Sequence, residues 1–225
     1  MRSLSRATFT NPRLLLLVPV AADFAWIYAN PPPDRAVNPF FLYLVVFGIG
    51  VFLLSHLLIP AAVRLRKRFG PKIVFAGIGL ALSMIEEGVA YVTGSGIFQD
   101  NHHPLVFGLV QAGLPLFLWT LGVLLVLQRF TYSRTQLFVL AGLSGWICEA
   151  VLGGLLFKSA VLAIVVLPVV AYSYFVLIYL PYRAIEDSLQ QKGASFWAVS
   201  AVLAVPTAFW FLGGIVGFFL SRGLA

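Results

Sequence analysis

Residues 72–93 read "KIVFAGIGLALSMIEEGVAYVT". A lysine opens the run, and the only other charges in it are Glu86 and Glu87, side by side. About 20 residues of apolar helix cross the hydrocarbon of a bilayer, and this stretch has that length. Segments of the same kind recur at 13–30, 38–60, 105–128, 136–157, 160–181 and 196–220. With 60% hydrophobic and 10% charged residues among 225, the chain is composed for lipid. The runs are too long and too evenly apolar for barrel strands. The expected fold is all-α: a polytopic bundle of seven transmembrane helices, one integral domain over 1–225, in the cell membrane.

Basic residues set the expected orientation. The N-terminal tail and the connections after spans two, four and six carry 3, 5, 2 and 2 Lys or Arg, while the opposite side carries Arg35, Lys158 and Arg222. This bias predicts an N-in, C-out topology. Arg64, Arg66, Lys67 and Arg68 then read as a topology anchor beside lipid headgroups. The net charge of +7 follows membrane sidedness, and no nucleic-acid module is present, so no nucleic-acid partner is expected. Arg2, Arg6 and Arg13 before Leu14–Ala22 resemble a signal peptide, but Asp23 and "FAWIYAN" extend the run into a span. Cys148 is alone, which leaves no internal disulfide and no cysteine zinc site.

The spans repeat one another. Phe75, Gly79, Leu80 and Glu86 spell F-x3-G-L-x5-E, and so do Phe138, Gly142, Leu143 and Glu149 at a constant offset of 63. Leu114-Pro115-x3-Trp119 and Leu167-Pro168-x3-Tyr172 spell a second element, at an offset of 53. A tandem two-helix unit is expected, with Asp23 and Pro39-x3-Tyr43 as a degenerate third copy. Gly79 and Glu86 share a helix face, which predicts that Glu86 and Glu149 point into helix contacts.

Packing has no need of an intramembrane acid, which costs about 2.5–3.5 kcal/mol on insertion scales and marks a functional site. Glu86 and Glu149 are the expected acid/base pair, with Glu87 tuning or positioning them. Glu87 lies about 100° round the helix, on a face with Ser83 and Tyr91. Trp119, Trp146 and Tyr172, aromatic and near the acids, are expected to line an apolar substrate channel, where their ring faces would stabilise positive charge, with Tyr91 and Asp23 as further substrate-binding residues. Asp100, His102 and His103 sit on the loop above, without the spacing of a metal site, so neither metal nor cofactor is expected. Gly213-x3-Gly217 can pack helices within the chain or join two copies as a homo-oligomer.

Glu86 and Glu87, Thr93-Gly94, Phe98, Gly108 and "GLPLFLW" at 113–119 together resemble the polytopic carotenoid-modifying proteins, the carotenoid hydratases and small lycopene cyclases. The resemblance covers about 35 residues. It implies an enzyme acting on a polyprenyl or carotenoid-type lipid, with membrane lipid as its surroundings. Phe117 and Leu118 stand where the cyclases have paired glutamates, and Gln99, Asp100 and Asn101 stand where the hydratases have tyrosines. Two other readings use the same acids. One is a proton-coupled transporter or channel, disfavoured by the apolar cytoplasmic halves of spans three and five. The other is a non-catalytic assembly subunit whose acids meet a basic residue of another membrane chain.

Overall fold

The computed structural model describes residues 12–32, 36–95, 104–130, 132–189 and 196–222, without the side chains of 12–17, 155, 158 and 196. Asp100, His102 and His103 lie outside the described residues. Every regular element among those described is helical: α1 (Pro12–Ala29), α2 (Pro39–Phe69), α3 (Pro71–Thr93), α4 (Leu105–Leu127), α5 (Arg134–Leu152), α6 (Leu155–Lys158), α7 (Ala160–Val165), α8 (Leu167–Ile185) and α9 (Phe196–Ser221). Six of them, α2 to α5, α8 and α9, are long and apolar enough to cross a membrane.

Local chemistry sets the helix ends. Gly70, at φ 84°, stops α2, and Pro71 starts α3 in its first turn. Proline suits that position because the first-turn N–H groups have no intrahelical partner. Arg66, Lys67 and Arg68 occupy the last turn of α2, where cations suit the helix dipole. Span two therefore runs nine residues beyond its expected end at 60, and the basic anchor is helical. Gly94, in the left-handed region at φ 66°, ends α3, and the Ser95 N–H closes onto the Ala90 carbonyl at 2.9 Å. Ser133 and Gln136 form a reciprocal capping box at the start of α5.

Spans five and six differ most from expectation. α5 ends at Leu152 and not at 157, because Gly153 and Gly154 turn the chain, with Gly154 at φ 81°. The segment expected as one helix over 160–181 is broken. α7, capped by the Ser159 hydroxyl, stops at Val166, and α8 begins anew with Pro168 in its first turn. Three helices also carry a π-helical turn: Leu44–Val51 in α2, Leu109–Gly113 in α4 and Cys148–Leu152 in α5. Such turns loosen the carbonyl ladder and concentrate at functional sites.

Glycine notches bring the helices together. A Cβ on Gly79 would stand 2.5 Å from the Thr120 side chain of α4, and one on Gly142 2.8 Å from the Ala171 carbonyl of α8. The two matched glycines thus each receive the next long helix in the sequence. Gly122 of α4 takes Pro206 of α9, while Gly213 and Gly217 of α9 close on Pro115 and the Val110 carbonyl. The Gly213-x3-Gly217 ridge is therefore used within the chain. Phe47, Phe75, Trp119, Leu137, Val169 and Leu177 are fully buried in one continuous core. At the basic end, Glu186 pairs with Arg134 and with Arg183 (3.3 Å), and Arg66 approaches Asp187 at 3.7 Å.

Candidate active site: a cluster of carboxyls and phenols

The face pattern of α3 and α5 turns Glu86 and Glu149 inward, and each meets a tyrosine. The Tyr43 hydroxyl of α2 donates to Glu86 Oε1 at 2.7 Å. The Tyr174 hydroxyl of α8 donates to Glu149 Oε1, also at 2.7 Å. Glu87 is 6% exposed, and its carboxyl lies within hydrogen-bonding reach of Glu86. Glu149 is near enough to interact electrostatically with both. The three glutamates therefore form one cluster, although Glu86 and Glu87 leave the helix about 100° apart.

The cluster is closed by its neighbours. Glu86 Oε2 is buried and accepts no hydrogen bond from a donor group of the described residues. A hydrogen bond between two carboxyls requires a proton on one of them, so close approach of Glu86 and Glu87 favours a proton held between them. The Gly113 notch of α4 sits over the Glu87 side chain, where a Cβ would come within 3.4 Å of its Cγ. Gly145 lies under the Tyr174 ring, and the Trp119 ring meets that ring edge-on at 4.8 Å. Glu149 itself stands in the π-helical turn of α5.

The structure places the other expected residues as follows. Trp119 is fully buried; its N–H reaches the Ser144 hydroxyl (3.1 Å), which in turn meets Thr207 of α9 (3.1 Å). Trp119 thus braces Tyr174 and has no free surface. The Trp146 N–H reaches the Ala163 carbonyl of α7 at 2.8 Å. Tyr172 donates to the Gly48 carbonyl in the π-helical turn of α2 at 2.9 Å. Tyr91 is 42% exposed near the end of α3. Asp23 is buried on α1 against the start of α8. His56 bonds the Tyr179 hydroxyl at 2.9 Å, which makes it an interhelical tie.

Sequence reasoning missed Tyr174 and the role of Tyr43. Tyr43 was visible as the third proline-aromatic element. The two LP-x3-aromatic elements marked Trp119 and Tyr172, and the phenol that reaches Glu149 stands two residues after Tyr172. Among the described residues no group of three His, Cys, Asp or Glu is arranged to hold a metal ion. Compared with protein families, with curated proteins and with solved structures, this chain finds no match.

Proposed function

We propose that this protein is a membrane enzyme that performs acid/base chemistry on an apolar lipid-type substrate, with Glu86, Glu87 and Glu149 at the reacting centre. The observation that carries the reading is the pair of phenol-to-carboxyl hydrogen bonds, Tyr43 to Glu86 and Tyr174 to Glu149, around a third carboxyl. A carboxyl that shares a proton is a general acid, and its ionised neighbour is a general base. Two such groups at one site let a proton be added at one carbon and removed at another. The resemblance over 86–119 adds the substrate class, a polyprenyl or carotenoid-type lipid. In that reading the chain has seven spans, counting α1, in N-in, C-out orientation. The paired glycine notches at Gly79 and Gly142 support the tandem repeat.

The alternatives draw less support. A transporter needs a polar path to the basic side, and there α2, α5 and α8 pack Phe52, Phe138, Phe175 and Tyr179 ring against ring. An assembly subunit needs its acids within reach of a second chain, and these carboxyls face the interior of the bundle.

The test is mass spectrometry with absorbance detection on lipid extracts of polyprenyl- or carotenoid-producing host cells, with and without the gene. A new or shifted lipid species is expected, lost in Glu86→Gln and in Glu149→Gln. Unchanged lipids across such hosts would refute the enzyme reading.

A further inference from the structure

Asp23 lies outside the three-glutamate cluster, and its surroundings give it a different task. It is 9% exposed, and its Oδ2 is buried with no hydrogen-bond partner. Its carboxylate lies near the Val169 N–H, in the first turn of α8. That amide is free because the chain breaks at Val166, and a new helix begins with unpaired N–H groups. The N-terminus of a 19-residue helix attracts a carboxylate, which explains how α1 carries an acid into the bundle at this point. Asp23 thus sits at the start of α8 with its Oδ2 left without a partner.

One turn farther along α8 stands Ser173, also buried, whose hydroxyl bonds the Val169 carbonyl at 3.2 Å. The same hydroxyl lies near the Tyr43 phenol, which donates to Glu86. Asp23 and Ser173 thus both lie by the Val169 peptide, and Ser173 leads on to Tyr43 and Glu86, so that oxygen groups of α1, α8, α2 and α3 succeed one another. Apolar groups flank this succession, among them Phe24 against Tyr172 at 6.5 Å and Phe47 stacked on Tyr43 at 5.6 Å.

We propose that Asp23 is the proton port of the carboxyl centre, passing protons between water outside the bundle and Glu86 by way of Ser173 and Tyr43. This rests on the proposed acid/base function of the cluster. In the inward step, protonated Asp23 gives its proton to one bridging water, which protonates the Ser173 oxygen. Ser173 turns its own O–H from Val169 to the Tyr43 oxygen, and Tyr43 releases its phenol proton to Glu86 Oε1. Each O–H bond broken is replaced by one formed. Asp23 ends ionised and Glu86 neutral, and external water then reprotonates Asp23.

The test needs no substrate. The full chain in lipid nanodiscs is moved from H2O to D2O, and the infrared carboxyl C=O band is followed as it shifts on deuteration. The component belonging to the Glu86–Glu87 pair is the one lost in Glu87→Gln. Asp23→Asn, which keeps the shape and cannot carry the proton, is expected to slow deuteration of that component by about 100-fold, the lower end of what a positioned acid contributes. Ser173→Ala is expected to slow it similarly with Asp23 intact, so the row remains testable if Asp23→Asn folds poorly. Unchanged rates in the variants overturn the port. A pair with no protonated band removes the shared proton and overturns the port with it. The lipid-extract comparison decides the enzyme reading separately.

Discussion

Single side chains hold this site, and their removal has calculable consequences. Tyr174→Phe leaves the part-buried Glu149 Oε1 without its phenol donor. Loss of such a bond is expected to lower stability by about 1–3 kcal/mol, read by denaturant unfolding in detergent. Tyr43→Phe is expected to cost a similar amount, because it removes the equivalent phenol donor from Glu86 Oε1. Phenylalanine at either position keeps the ring packing, so the change isolates the hydroxyl. The acids themselves were legible from sequence, since charge inside an apolar run stands out. Their phenol partners were not. Tyrosine is common near membrane interfaces, and nothing in the spacing of one helix says which hydroxyl of another will reach it. Trp119 shows the same limit: its repeat position was readable, while its role as a brace depends on Ser144 and Thr207 from two other helices.

Helices in this bundle cross at glycines, and the close approaches are unequal. Gly145→Ala would place a methyl group 2.0 Å from the Tyr174 ring, which cannot move without releasing Glu149. It is expected to destabilise the protein by about 1–3 kcal/mol or more, as overpacking does. Gly77→Ala, where nothing lies within 4 Å, is expected to be neutral or to gain about 0.5–1 kcal/mol from helix propensity. Thermal unfolding of the two variants side by side checks the contrast. Long apolar runs made most elements readable, and the acid-bearing faces of α3 and α5 followed from a seven-residue spacing. The break at Val166 did not, since proline in a span is ordinary and α7 and α8 together have the length of one helix. The π-helical turns were equally hidden. No marker residue announces them, and the two in α2 and α5 lie where Tyr172 and the Glu149–Tyr174 pair make their contacts.

The two ends of the molecule are chemically distinct. Glu186 joins α8 to α5 through Arg134, while the Asp187 and Arg66 pair faces α2. Glu186→Ala is expected to lower stability by about 1 kcal/mol, with a smaller effect in high salt, because these pairs are partly solvated. Nearby, the Tyr132 hydroxyl donates to the Ala198 carbonyl, and burial pushes its phenol up to about 12. Orientation is testable in a Cys148→Ser background. Val37→Cys is expected to react with a membrane-impermeant maleimide added to intact cells, and Arg68→Cys only after lysis. Labelling in the opposite order would invert the topology.

The notches that receive α9 also bear on how the chain is made. Gly122 and Pro115 of α4 and the Ser144 hydroxyl of α5 all meet the last long helix. A ribosome delivers α4 and α5 before α9 exists, so during synthesis these surfaces face lipid or a membrane chaperone. Ser144 then holds Trp119 without Thr207 behind it. The centre built around Tyr174 is consequently completed only once α9 has been made, and a nascent chain arrested before Pro206 would be an inserted bundle whose brace is still loose.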